Sequence, residues 1–388
     1  MCLSSLSSLQ PSVRVCWKTA LCGVVLATLM AAAFGQEMTW SNREFFYVGG
    51  KYVGPPGNEI MTGQMYVEVL RPQRVTQKYP IVFFSGGKNT ATSFMGTPDG
   101  RTGWADYFLD QGYIVYLTDS PDRGRSPRHP SLTGPMGFYS PEDAYRLTIP
   151  EVVGTWPQAK KHSQWPGEGP NKGRKGDPIF DAFYASQVVS LASAIELQTL
   201  VKAAGTALLD KIGPTIIITH SQAGPYAWLL ADSRPKAVKG IVAIESLGPP
   251  FRGGVVKEDT TRKYGLPWGL TDIPLTFSPP AKNADDLKPV EEATADGPGL
   301  AKCWKQSDPP RQLPNLQGIP ILNVISEASA NTVYDHCISK FLTQAGVKNT
   351  YYRLQDQGIH GNGHFMMLEK NSLEVAALLN KWISQNVK

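Results

Sequence analysis

The stretch that most constrains this chain is Thr215-Ile216-Ile217-Ile218, which runs directly into Thr219-His220-Ser221-Gln222-Ala223. A β-branched run ending at a serine with small residues two before and two after reads as a strand turning sharply into a helix. Bulk at those positions would clash where strand and helix nearly touch. Thr219 and Ala223 take places that glycine fills more often. Beyond the turn, Ala227, Trp228, Leu229 and Leu230 continue in a helical pattern, and Pro225 falls in the first turn, where its missing N–H costs nothing. A serine at such a bend, over a helix N-terminus, is aimed as a nucleophile at a carbonyl. Taken alone, the pattern also fits an ordinary strand, turn and helix with a capping serine, so the rest of the chain must decide.

Runs rich in β-branched and aromatic residues recur at 45–53, 64–70, 81–84, 113–118, 216–219, 241–244, 321–325 and 351–354. They predict an eight-stranded sheet. Helical patterns at 104–110, 182–203, 333–345 and 372–385 fall between the later runs and predict parallel pairing there. The first two runs are joined by Gly54-Pro55-Pro56-Gly57 with no helix, which predicts an antiparallel pair. The fold class is therefore α/β, a mostly parallel sheet flanked by helices. Two stretches break the rhythm. Residues 125–178, rich in Pro, Gly and Trp, are expected to form a cap over the site, with Trp156 and Trp165 as lining residues and the basic GEGPNKGRKGDP at 167–178 as a solvated excursion. Residues 248–318 are similarly irregular, with three Pro-Pro pairs.

At 388 residues and 41% hydrophobic content, one large domain with insertions is expected. Residues 1–18 carry Arg14 and Lys18 and no acid. The apolar run from Thr19 to Phe34 follows, and Ala33-Phe34-Gly35 offers small residues for cleavage. The run falls short of the ~20 residues that span a bilayer, so residues 1–35 read as a secretory signal peptide and residues 36–388 as a secreted protein, extracellular or periplasmic, with no stable membrane span. Losing those two basic residues lowers the formal charge from +5 to +3, too mild a balance for a nucleic-acid partner. Cys2, Cys16 and Cys22 fall in the signal segment, leaving Cys303 and Cys337. A bridge between these two is the economical expectation in an oxidising compartment. The sequence leaves oligomeric state open, a homodimer being one option.

A serine hydroxyl needs a histidine base, and the imidazole needs an acid to fix its tautomer and stabilise its cation. A base placed last in the chain, after the final strand, leaves His360 and His364 in Gly358-Ile359-His360-Gly361-Asn362-Gly363-His364-Phe365. His364 is preferred because it sits just before Phe365-Met366-Met367-Leu368, which reads as the start of the last helical pattern, and the glycine-rich run ahead of it lets the ring swing over the sheet. The two could also form a metal pair at a spacing of four, but the intervening glycines oppose a helix and no acidic motif accompanies them, so no metal or cofactor is expected. His220, beside the serine, reads as structural. Glu245 and Glu327 each end an apolar strand and both remain candidates for the acid. An oxyanion site needs two backbone N–H groups. Gln222 supplies one, and Gly87 in Ser85-Gly86-Gly87-Lys88 is the choice for the other, with Lys88 next to it.

Four segments together resemble a family of the α/β-hydrolases, a small group of secreted, bacterial-type esterases whose acid is a glutamate after strand six. They are Thr97-Pro98-Asp99-Gly100-Arg101 with Gly103-Trp104; Asp122-Arg123-Gly124-Arg125-Ser126; Thr219-His220-Ser221-Gln222 with the downstream Glu245; and His360-Gly361-Asn362-Gly363-His364. The resemblance implies an α/β-hydrolase fold with a Ser221, His364 and Glu245 triad acting on a small-molecule ester, without a cofactor. Cys337 falls in the helix where the family also places a cysteine, in keeping with a bridge to Cys303. The chain departs from the family at the oxyanion loop, where Ser85-Gly86-Gly87-Lys88 replaces an H-G-C-C-type segment, and that bears on substrate preference more than on reaction class. Rival readings are a lactonase, thioesterase or amidase on the same residues, or a binding protein on the same fold without catalysis.

Overall fold

The structure is a computed structural model that describes residues 40–251 and 265–388. The expected signal peptide, with Cys2, Cys16 and Cys22, and residues 252–264 of the second irregular stretch lie outside the described residues. No helix among the described residues is long and apolar enough to cross a membrane.

The eight apolar runs assemble into one sheet: β1 (Trp40–Val53), β2 (Ile60–Pro72), β3 (Ile81–Phe84), β4 (Val115–Asp119), β5 (Thr215–His220), β6 (Val238–Ile244), β7 (Ile321–Ile325) and β8 (Thr350–Arg353). Their spatial order is β1-β2-β4-β3-β5-β6-β7-β8. β2 pairs antiparallel with β1 and β4, and every other pairing is parallel. β5 lies between β3 and β6, and all six of its residues are buried. That burial on both faces is why its centre, Ile216–Ile218, is an unbroken apolar run instead of alternating.

Adjacent residues of one strand feed opposite cores. Val82, Phe84, Ile217 and Ile241 pack with α2 (Ala194–Ile212), α3 (Gly224–Ser233) and α4 (His336–Gln344). Ile81, Phe83, Ile218 and Val242 pack with α1 (Trp104–Asp110) and α5 (Ser372–Asn386) on the other face. α3 is buried from Gly224 to Asp232, which accounts for its nearly unbroken apolar sequence.

Three sequence expectations need correction. The helix expected over 182–203 is two helices, Pro178–Ala185 and α2, separated by a short strand, Ser190–Leu191, that pairs with Met136–Gly137. Ser193 caps α2 by accepting the Glu196 N–H, a local stop that the apolar periodicity hides. The helix expected from residue 333 begins at His336, after a 3-10 turn at Ala330–Val333. The stretch at 167–178 is a solvated excursion only in part. Asp177 is buried and accepts from Gly173 N–H at 2.6 Å, and Thr148 Oγ1 donates to the Gly173 carbonyl at 2.7 Å, which folds the chain back on itself.

Residues 125–178 are stitched to the loop after β8. Ser163 N–H donates to Gly361 O at 2.9 Å, Gln164 Nε2 to His360 O at 3.0 Å, and Lys370 N–H to Gln164 O at 2.9 Å. Trp156 and Trp165 are both buried. Trp156 donates to Ala328 O at 2.9 Å, while Trp165 packs edge-on against Phe183 as a core group. Within this seam His162 is buried between Glu151 at 2.6 Å and Glu369 at 2.9 Å. Burial alone would lower the His162 pKa, but the two carboxylates outweigh it and raise it to about 9.

Cys303 and Cys337 form a disulfide with Cα atoms 5.2 Å apart, closing a separation of 34 residues. It ties the irregular stretch to the first turn of α4. Two outcomes follow from these contacts. Reduction is expected to lower stability by up to ~3–4 kcal/mol, the loop-closure term for such a span, read as a fall in the denaturant midpoint of wild type and its absence in a Cys303→Ser/Cys337→Ser variant. Because the folded His162 pKa is raised above an ordinary value near 6.5, its stabilisation is fully present below about pH 6.5 and is lost as pH rises through about 9. Unfolding midpoints measured from pH 7 to 10 should therefore fall more steeply for wild type than for His162→Gln; parallel curves would contradict this.

Candidate active site

β5 ends at His220 and the chain passes through a 3-10 turn, Ser221–Ala223, into α3. Ser221 sits at φ 54°, a left-handed conformation that an L-residue adopts only when its surroundings enforce it. Two glycines allow the bend. A Cβ on Gly224 would fall 1.9 Å from Ser246 Oγ, and one on Gly86 would fall 2.8 Å from His220 Nδ1 and 3.1 Å from Ser221 Cβ. The sequence pattern located the small residues at 219 and 223; the tightest approach is at Gly224.

His364 comes from the loop after β8. Its Nε2 lies 2.9 Å from Ser221 Oγ and its Nδ1 lies 3.1 Å from Glu245 Oε2. A carboxylate oxygen can only accept, so Nδ1 carries the proton and the Nε2 lone pair faces the serine hydroxyl. Phe365–Leu368, read from the sequence as the start of the last helical pattern, form turns, and α5 starts at Ser372, where the 372–385 pattern placed it. Position is supplied instead by hydrogen bonds. Glu369 is fully buried and accepts from Gly363 N–H at 2.9 Å and from Asn362 Nδ2 at 2.8 Å. Arg101 Nη1 donates to the Glu369 carbonyl at 3.1 Å, so the Thr97–Arg101 motif braces this loop. His220 donates Nε2–H to the His364 carbonyl at 2.9 Å; burial, then the neighbouring His364, push its pKa well below the usual histidine range.

Glu245 directly follows β6, sits at φ 50° and is fully buried. Oε1 accepts from Ser326 N–H at 2.9 Å, the Ser326 and Ser329 hydroxyls also donate to the carboxylate, and Asn331 Nδ2 donates to its carbonyl at 2.9 Å. Nearby Asp335 is buried, and burial together with Glu245 pushes its carboxyl well above the usual range, which favours the neutral form beside the Glu245 charge. Glu327, the other candidate acid, turns elsewhere. It accepts from Lys161 Nζ at 3.0 Å and Gly361 N–H at 3.0 Å, and its Oε2 lies 3.3 Å from His360 Nδ1. His360, the rejected base, is exposed. Ser326, Ser329, Glu369 and Gly224 were given no role in the sequence reading; their signal is contact between distant segments, which no local pattern carries.

The loop after β3 brings Gly87 against the elbow, where a Cβ on Gly87 would lie 3.3 Å from Gln222 Oε1. Arg123, fully buried, donates from Nη1 to Gly86 O at 2.8 Å and from Nη2 to Gln222 Oε1 at 2.7 Å. Lys88 sits at φ 63° and points its Nζ at Ser190 Oγ, 3.1 Å away. Burial, then Arg123, lower its pKa. A separate surface groove of about 380 Å³, lined by Gly100, Arg101, Lys370 and Glu374 among others, contains none of the candidate residues.

No protein-family model matches the chain. It is 46% identical over 352 residues to the probable secreted lipase phiG of Fungal sp. (strain ATCC 74256), covering 90% of this chain and 91% of that one. Among solved structures it resembles a novel bacterial esterase with a TM-score of 0.62 and 23% identity, covering 91% of this chain and 98% of that chain. The structural likeness carries the fold, and the sequence likeness, held over nine tenths of both chains, carries the family. The chain has the α/β-hydrolase fold and belongs to the family of the probable secreted lipase phiG.

Proposed function

We propose that this protein is a secreted carboxylic-ester hydrolase that works through an acyl-enzyme on Ser221. The observation that carries the reading is the hydrogen-bonded line from Ser221 Oγ through the His364 imidazole to the buried Glu245 carboxylate. The family relative, named a probable secreted lipase, supports ester substrates and export.

In this scheme Ser221 Oγ attacks the ester carbonyl while His364 Nε2 takes its proton. Glu245 holds the ring in the tautomer that presents the lone pair and stabilises the imidazolium that forms. Burial makes that stabilisation larger than it would be in water. The oxyanion is received by the N–H groups of Gln222 and Gly87. His364 then returns the proton to the departing alcohol; a water deprotonated by the same nitrogen attacks the acyl carbonyl, and that proton passes to Ser221 Oγ as the carboxylic acid leaves. The scheme calls on no metal and no cofactor.

The test is hydrolysis of p-nitrophenyl esters of short, medium and long acyl chains, beside labelling with a fluorophosphonate read by mass spectrometry. One adduct and turnover, both lost in Ser221→Ala, are expected. Labelling without turnover on any ester would move the reading to a lactone, thioester or amide, and no labelling of folded protein would favour the non-catalytic alternative. Glu245→Ala is expected to lower kcat by about 10⁴-fold, the scale for loss of the orienting acid, whereas Glu327→Ala should cost far less. The reverse ranking would transfer the acid to the loop after β7.

A further inference from the structure

A fully buried arginine whose hydrogen bonds go to neutral oxygens is an expensive arrangement, since the buried Asp119 carboxylate offsets desolvation of the cation only through space. Arg123 is such a residue: its Nη1 donates to Gly86 O at 2.8 Å and Asn89 O at 3.4 Å, and its Nη2 to Gln222 Oε1 at 2.7 Å. These acceptors belong to two segments distant in sequence, the loop after β3 and the elbow after β5. They are the two segments whose backbones carry Gly87 and Gln222.

The guanidinium is itself fixed by the turn that carries it. Arg123 N–H donates to Ser120 O at 3.1 Å, Ser126 N–H donates to Arg123 O at 2.9 Å, and Asp122 stands at φ 59°. Two residues on, Arg125 anchors the turn to buried Asp119 at 2.8 Å, and Asp119 Oδ1 accepts from Ala91 N–H at 2.9 Å. The Gln222 side chain lies directly beneath Gly87. Guanidinium, glutamine amide and glycine therefore form one line of contacts.

We infer that Arg123 is a positioning residue for the oxyanion hole, setting the spacing between the Gly87 and Gln222 N–H groups through the Gly86 carbonyl and the Gln222 side chain. The inference rests on the ester-hydrolase reading. A donor pair must be aimed at the place the anion will occupy, not at the ground-state carbonyl, so a change in spacing affects the transition state and leaves substrate binding nearly untouched. The fixed positive charge behind the loop acts in the same sense.

The experiment compares Arg123→Met, Arg123→Lys, Gln222→Met and the Arg123→Met/Gln222→Met double variant. Readouts are kcat and KM on a p-nitrophenyl ester and inhibition by an aryl boronic acid, which forms a tetrahedral anion on a nucleophilic serine. Arg123→Met and Gln222→Met should each lower kcat by about 10²-fold and weaken the boronic acid by a similar factor, with KM within about twofold. The double variant should be little worse than either single one, and Arg123→Lys should recover part of the loss. If Arg123→Met does not fold, Gln222→Met carries the test, because its side chain is partly exposed and its backbone N–H is retained. Unchanged kcat in folded Gln222→Met, fully additive losses in the double variant, or raised KM with unchanged boronic-acid affinity would each overturn the role of Arg123. An activity that Ser221→Ala leaves intact would instead overturn the ester-hydrolase reading beneath it.

Discussion

His364 has to be held between a serine on one strand end and a glutamate on the next, yet it stands on a run of turns with no helix or strand of its own. Everything near the site answers that constraint. Its two ring nitrogens reach Ser221 and Glu245 at 2.9 and 3.1 Å. Its carbonyl is held by His220, and the preceding Gly363 N–H by buried Glu369. Glu369 is in turn bonded by His162 from the 125–178 segment, while Arg101 grips the carbonyls of Leu368, Glu369 and Lys370. That segment and the loop of His364 are thus one mechanical unit, joined by buried charge and main-chain bonds.

Strain is concentrated in the same place. Ser221 and Glu245 both adopt positive φ, and Lys88 and Asp122 do so on the two flanking loops. Each such residue costs on the order of 1–3 kcal/mol, and the surrounding sheet and hydrogen bonds must offset it. β5 and β6 provide the rigid base, since their parallel register runs unbroken from Ile216 to His220 and delivers both residues at adjacent strand ends. In the proposed mechanism this fixed geometry replaces reorganisation at the moment of reaction.

Much of this was legible in the chain. The central strands show as continuous apolar runs because both of their faces are buried, while the exposed edge strands β1 and β8 showed through their β-branched and aromatic content; errors in all eight were confined to their ends. Ser221 and His364 were legible because chain order and glycine spacing single them out. The candidate acid was not: Glu245 and Glu327 both close apolar strands, and only the family resemblance chose between them. In the structure Glu245 turns towards His364, while Glu327 pairs with Lys161 and His360. The break between the helices at 178–185 and 194–212 escaped because the pairing of Met136–Gly137 with Ser190–Leu191 is a long-range contact. Arg123 lay inside a recognised motif, yet its partners Gly86, Asn89 and Gln222 come from elsewhere in the chain.

The most direct measurement is a crystal structure of the protein after reaction with a p-nitrophenyl phosphonate. The account requires phosphorus bonded to Ser221 Oγ, the phosphoryl oxygen within about 2.7–3.1 Å of both the Gly87 and Gln222 N–H groups, and His364 still bonded to Glu245. Phosphorus on another residue, or a phosphoryl oxygen turned away from those two N–H groups, would contradict it.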